Sequence, residues 1–231
     1  MRIRIATALL ALASVAALPG FAAEAASTVE ARIAQAGFGQ EAASAPARQV
    51  ADWVLEAADH QGLPFAIVDK VQSKVFVFDG RGRLLGAASA LVGLATGDES
   101  VPGIGSRKMS TIAPRERTTP AGRFVASLGA TPHGDEILWV DYDAAVAMHR
   151  VITTVPQERR LQRLASASPA DRRITYGCIN VPVKFFDAVV APAFRAAGGI
   201  VYILPETRAL RDVFGFHDTH AAPAVRTTLP Q

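Results

Sequence analysis

The chain has 231 residues, enough for one domain of ordinary size with accessory segments and a substantial buried core. Half of it is hydrophobic, 19% is charged, and Gly and Pro supply 18 and 14 residues, a balance that excludes collagen-like and strongly disordered classes. The formal charge of +3 contains no basic run, which argues against a nucleic-acid partner, and the single Cys allows neither an internal disulfide nor a multi-Cys metal cluster.

Arg2 and Arg4 precede the uncharged apolar stretch Ile5 to Leu18, and Pro19-Gly20 break it before a small-residue segment ending Ala23-Glu24-Ala25. This is the pattern of a secretory signal peptide, 1–25, too short and Ala-rich to read as a membrane span. Its removal predicts an exported protein without a membrane anchor, periplasmic in a Gram-negative cell. An unpaired thiol in an oxidising compartment then calls for an explanation.

Residues 26–62 read as a helical extension. Ser27-Thr28-Val29-Glu30 has capping-box spacing and opens an Ala-rich helix that Gly37 and Gly39 end. Val50, Trp53, Val54 and Ala57 then recur at helical spacing up to His60, with Gly62 and Pro64 as stops. Trp53 on such a face points to packing.

From Leu63 the pattern becomes β, and 63–205 reads as the main domain. Strands are predicted at Phe65 to Val68 and Val75 to Phe78, and Asp79-Gly80-Arg81-Gly82 turns the chain into a strand over Leu84 to Val92. Later strands are predicted at Phe124 to Leu128, Ile137 to Val140, Ala145 to Val151, Ile174 to Val181 and Ile200 to Leu204. One helix fits Val183 to Ala197, ended by Gly198-Gly199 and kinked at Pro192, and a second fits Gln157 to Ala167. Residues 206–231 show no sustained periodicity and read as a loosely packed tail.

Cys178 lies in Thr175-Tyr176-Gly177-Cys178-Ile179-Asn180, between a predicted strand and the helix past Pro182. A nearby helix N-terminus favours the thiolate, the nucleophilic form, and its free N–H groups could hold an oxyanion. Gly177 would let a substrate carbonyl approach the backbone. A buried Cys acting as a small hydrophobe is the other reading of this hexapeptide. A nucleophilic Cys needs a base, and of His60, His133, His149, His217 and His220 only His149 ends an apolar strand that could present it beside the Cys. His133 reads as a loop residue, His60 closes a helix, and His217 and His220 fall in the tail. No HExxH-like spacing supports a metal site.

His149 followed by Thr175-Tyr176-Gly177-Cys178-Ile179-Asn180 resembles the signature of the L,D-transpeptidase (YkuD-type) catalytic domain, a His and then Ser/Thr-His-Gly-Cys-hydrophobic-Asn/Arg. Thr119-Pro120-Ala121-Gly122-Arg123-Phe124 resembles the Thr-Pro-x-Gly-x-Phe segment of that family. The three motifs occur in the family's order across roughly Leu63 to Pro205. Two departures stand out. Tyr176 replaces the family's second His, and Arg150 follows His149 where Gly is common. The stretch between His149 and Thr175 is also longer than usual, the extra length falling on Pro156 to Arg173 with its five Arg. That segment reads as a solvated helix face in preference to a lid over acidic peptides.

The resemblance implies a mainly β fold, an L,D-transpeptidase-like β-sandwich with a helix after the catalytic Cys and an N-terminal helical extension. It also implies a cysteine acyltransferase acting on peptidoglycan stem peptides, with no cofactor. Cys178 would be the nucleophile and His149 the base, its other nitrogen oriented by a partner such as a backbone carbonyl. Gly177, Tyr176, Thr175 and Asn180 would supply or support the oxyanion site, and Arg123 and Arg150 would meet substrate. Amine and water attack the same thioester, so an L,D-carboxypeptidase or a hydrolase of wall-linked substrates fits the same motif. A non-catalytic wall-binding module is the alternative from another class.

Overall fold

A computed structural model describes residues 37–215 of the chain. The signal peptide 1–25, the helix expected from Ser27, and His217 and His220 lie outside the described residues.

Ser44 opens the first helix, α1 (Ala45–Glu56), by accepting the Ala47 N–H at 3.2 Å, with Pro46 in its first turn. The same hydroxyl donates to Asp69 Oδ2 at 2.6 Å, which ties the helix start to the end of β1 (Phe65–Asp69). β2 (Lys74–Phe78) and β3 (Leu84–Ser89) form a hairpin. Its turn closes because Asp79 Oδ1 accepts the N–H groups of Arg81 and Arg83, while Gly82 takes a φ of 78°. The predicted strand over Leu84 to Val92 is interrupted, and β4 (Val92–Gly93) begins a separate pairing.

The remaining long strands are β5 (Gly122–Ala130), β6 (Glu136–Asp141) and β7 (Val146–Arg150). The helix α2 (Arg160–Ala165) follows, then β8 (Arg173–Thr175) and β9 (Ile179–Val181). The sequence predicts one strand over Ile174 to Val181. Two form instead, because the chain leaves β4 at Thr175, crosses through Tyr176-Gly177-Cys178, and pairs with β7 from Ile179 on.

Helix α3 combines α-helical Val183–Phe185, a π-helical turn Phe186–Val190 and α-helical Ala191–Phe194. Pro192 has no N–H to donate, so the expected kink takes the form of a widened turn just ahead of it. The chain finishes with β10 (Gly199–Ile203) and the short helix α4 (Leu210–Phe214).

Eight strands make one sheet in the order β3-β2-β1-β10-β5-β6-β7-β9, while β4 and β8 pair apart from it. β1–β10 and β7–β9 are parallel, and the other neighbours in the eight-stranded sheet are antiparallel. A bridge between Leu91 and Asn180 brings the chain beyond β3 against β9, so the sheet nearly closes. Ala66, Val75, Leu138, Met148 and Ile179 from its two halves meet Phe186 and Phe194 of α3 in a single core. The mainly β, sandwich-like architecture expected from the sequence is therefore present, built from one curled sheet with α3 against it.

A second core lies on the other face. There Phe65, Ile67, Phe78 and Tyr202 pack against Val50 and Val54 of α1. With both faces covered, all five residues of β1 are buried, which is why Phe65 to Val68 read as a continuous apolar run without alternation before Asp69. The helix of the N-terminal extension thus belongs to this layer. Trp53 meets Tyr202 edge-on at 6.1 Å and Phe214 at 6.0 Å.

Glu206, Thr207 and Arg208, at the start of the segment read as a loosely packed tail, are held to the fold. Asp98 accepts the N–H groups of Glu206, Thr207 and Arg208 and the Thr207 hydroxyl, at 2.6 to 2.9 Å. Lys70 Nζ donates to Asp98 Oδ1 at 2.8 Å, the oxygen that also accepts the Glu206 N–H, with both the Lys70 and Asp98 side chains 1% exposed. A buried charge requires such partners, and short-range periodicity does not reveal them.

Candidate active site

β7 and β9 run parallel, with His149 opposite Asn180, so Cys178 sits two residues back along the neighbouring chain. Cys178, His149, Ala147 and Trp139 line one cavity of about 480 Å³, with Ile152 and Val183 at its apolar rim and Asp135 and Arg150 as charged neighbours. The sequence-predicted nucleophile and base therefore share a cavity.

The turn carrying Cys178 is braced by two threonines. Thr175 Oγ1 donates to the Cys178 carbonyl at 2.6 Å and accepts the Gly177 N–H at 3.2 Å. Thr119 Oγ1 donates to the Gly177 carbonyl at 2.8 Å. Gly177 has a φ of 132°, and a Cβ there would lie 2.7 Å from the Thr118 carbonyl oxygen, so this crossing requires glycine.

His149 Nδ1 faces the Arg150 carbonyl at 2.8 Å. A carbonyl only accepts, so Nδ1 carries the proton and Nε2 the lone pair. Nε2 meets Asn180 Nδ2 at 3.0 Å. Burial, with the Arg160 charge, lowers the His149 pKa against the opposing pull of the Arg150 carbonyl and Asp135. The Cys178 thiol donates to the Ala145 carbonyl at 3.7 Å, and burial pushes its pKa up despite the Arg160 charge and a backbone contact at Ala147. α3 begins at Val183, as the sequence predicts, five residues beyond Cys178, and burial is the largest influence on the thiol, opposing the thiolate that a helix N-terminus would favour. Burial favours the neutral form of both groups, and each is bonded to a partner other than the other.

The predicted supporting residues separate. Asn180 and Thr175 are buried at the site. Tyr176, which stands where the motif it resembles has a second His, turns its ring to the Arg117 guanidinium at 3.8 Å and does not line the cavity. Arg150 lies at the cavity edge, but its guanidinium is held by Asp187 and the Glu136 carbonyl. Arg123 does not reach the site, since it binds Asp59 at 2.6 Å beside Tyr202, on the face covered by α1.

The Arg-rich segment departs from a solvated charge run at four of its five Arg, while Arg159 is exposed. Arg160 donates to Asn180 Oδ1 at 2.6 Å, and Arg163 to the Glu158 and Asp171 carbonyls. Arg172 binds the Gln72 and Ser166 carbonyls, and Arg173 binds the Gly93 carbonyl and the Glu206 carboxylate. Sequence reasoning missed Arg160 at the site and the role of Thr119. Only the placement of Thr119 in the upstream motif pointed to it. His133 is exposed in a loop as expected, and His60 is buried with its ring nitrogens facing the Val54 and Gly80 carbonyls.

No family model matches the chain, and no curated protein matches it. Similar solved structures include a fused Zn-dependent amidase/peptidase/peptidoglycan-binding domain protein from Clostridium acetobutylicum, 15% identical, covering 61% of this chain and 51% of that one, TM-score 0.35. Another is the helical cell shape determining protein Pgp2 from Campylobacter jejuni, 11% identical, covering 63% and 49%, TM-score 0.41. A third is the L,D-transpeptidase (residues 123–326) from Xylanimonas cellulosilytica, 16% identical, covering 74% and 76%, TM-score 0.37. The chain spans about half the length of the first two.

Proposed function

We propose that the protein is an exported cysteine acyltransferase that acts on peptidoglycan stem peptides by L,D-transpeptidation. The observation that carries this reading is the convergence of Cys178 and His149 on one cavity, with the His tautomer set so that Nε2 can accept a proton. The resemblance of the Thr119 to Phe124 and Thr175 to Asn180 motifs supplies the substrate class.

In the proposed reaction His149 Nε2 exchanges the Asn180 amide N–H that it accepts at rest for the Cys178 thiol, and takes the thiol proton as the sulfur attacks the carbonyl of the L-centre of the third stem residue. The carbonyl electron pair moves to oxygen. Among the amides of the turn, that of Gly177 is committed to Thr175 Oγ1 and Tyr176 does not line the cavity, which leaves the amide of Cys178 to meet the oxyanion. Collapse breaks the peptide bond, the departing D-amino acid takes the proton from His149, and a thioester remains on Cys178. A side-chain amine of a second stem then attacks the thioester and gives up a proton through His149. The new amide forms and the thiol is restored.

Because base and thiol start neutral, the proton moves as the bond forms, and no preformed ion pair is needed. Incubation with purified muropeptides of defined stem length, read by mass, tests the proposal. Cross-linked or exchanged products with loss of the terminal D-residue support it. Trimming alone assigns water as the acceptor, and the absence of both products and a Cys178 adduct leaves a wall-binding module.

A further inference from the structure

We propose that Arg160, on the Arg-rich helix α2, is a positioning residue that acts through the Asn180 amide to determine which nitrogen of His149 can accept a proton. The inference deepens the reading above and rests on His149 being the base.

Arg160 is a donor only, so the Asn180 atom it meets at 2.6 Å is the acceptor Oδ1. That contact decides the orientation of an amide whose two ends are nearly the same size. The NH₂ end is consequently turned to His149 Nε2, 3.0 Å away, where only a lone pair can receive it. On the other side of the ring the Arg150 carbonyl demands a proton on Nδ1. Both nitrogens are thus specified, and the chain Arg160–Asn180–His149 holds the ring neutral with its basic atom at Nε2.

The parts are built to stay in place. Asn180 is 1% exposed. The Arg160 side chain is 14% exposed and anchored by Glu158 at 2.6 Å.

Without Arg160 the amide is free to turn its oxygen to His149. Nε2 would then need a proton while Nδ1 keeps its own, which is the imidazolium, and the lone pair required by a general base is lost. Loss of the nearby positive charge works in the same direction. The charged and titratable groups facing His149 are Arg160 from α2, Asp135 and Glu136 at the start of β6, Cys178 before β9, and Arg150 on its own strand with Asp187 of α3.

The test is ¹⁵N NMR of the His149 imidazole in the full chain, read through its titration. The wild-type neutral ring should be the Nδ1–H tautomer, and an Nε2–H ring would overturn the proposal with no variant needed. In Arg160→Met the titration midpoint should rise by about one pH unit, since the protonated ring gains an acceptor and loses a repelling charge. Arg160→Lys, which can still donate to Oδ1, should restore most of the wild-type behaviour. A folded Arg160→Met protein with the wild-type tautomer and midpoint would also overturn it. The ring titrates whether or not muropeptides react, so failure here is separate from failure of the proposed activity.

Discussion

Thr119 and Gly177, far apart in sequence, are joined by a 2.8 Å hydrogen bond from the threonine hydroxyl to the glycine carbonyl, and the same hydroxyl accepts the Gly93 N–H at 2.8 Å. One oxygen therefore ties β4 and the approach to β5 to the turn that carries Cys178.

Thr119→Val keeps the shape and removes the hydroxyl, leaving a buried N–H without that acceptor and a buried carbonyl without that donor. Unsatisfied buried groups cost about 1–3 kcal/mol each, so a loss of about 2–3 kcal/mol is expected, with Thr119→Ser milder. Denaturant unfolding measures it. A wild-type midpoint for the Val variant would show that the tie is dispensable.

Gly177→Ala should destabilise by about 1–3 kcal/mol, because the new methyl meets the Thr118 carbonyl in addition to the positive-φ strain. Gly134→Ala is the control. It has a φ of 86° but nothing within 4 Å of its Cβ, so it should cost less. Equal costs at the two positions would mean that the Thr118 contact relaxes freely.

Lys70→Met should be among the most damaging single changes, at about 3–5 kcal/mol, since it leaves the Asp98 carboxylate buried without its cation. Asp98 also gives the fold a pH signature. Its carboxyl is held well below the usual range, against the opposing effect of burial, by hydrogen bonds from Lys70, Thr207 and Glu206. A depressed folded-state pKa means that this stability is complete above the ordinary aspartate range, near pH 4, and is lost as acid titrates the folded group. Asp98→Asn should flatten the acid limb of the stability curve. An unchanged acid limb in that variant would assign acid sensitivity elsewhere.

Iodoacetamide should alkylate Cys178 at a rate that keeps rising through pH 8 and beyond, since burial pushes the thiol above its ordinary value of 9.0. A plateau near pH 6 would reveal a thiolate–imidazolium pair and contradict the neutral resting site. Cys178→Ala should abolish any acyl adduct, and His149→Ala should leave a folded protein that acylates very slowly.

Trp53→Ala should cost about 2–4 kcal/mol, because the indole fills the seam between α1, Tyr202 and Phe214. Unfolding followed by far-UV circular dichroism should remain a single transition at a lower midpoint. Separate melting of α1 would show that the helix does not share the core.

Much of the fold was legible locally. Phe65 to Val68 and Val75 to Phe78 announce strands because every side chain must be apolar where both faces are covered, and Asp79-Gly80-Arg81-Gly82 announces its turn through side-chain capping and a glycine conformation. The Cys178 hexapeptide and His149 were legible as a candidate pair because nucleophile and base chemistry restricts the residue types, and both line one cavity. Gly177 was read as leaving room for a substrate carbonyl; the positive φ and the Thr118 carbonyl that exclude a side chain there were not legible.

The sequence by itself determined the apolar runs, the turn chemistry and the identities of the reactive groups, since these depend on the residues themselves and their immediate neighbours. Only the tertiary structure decided the partners of the charged and polar side chains. It sent Arg123 to Asp59, Tyr176 to Arg117, Thr207 to Asp98, and Arg160 to Asn180. The physical reason is that a buried polar group must be satisfied by whatever the strand order places beside it. That order sets β1 against β10 and β7 against β9, pairings that no local pattern encodes.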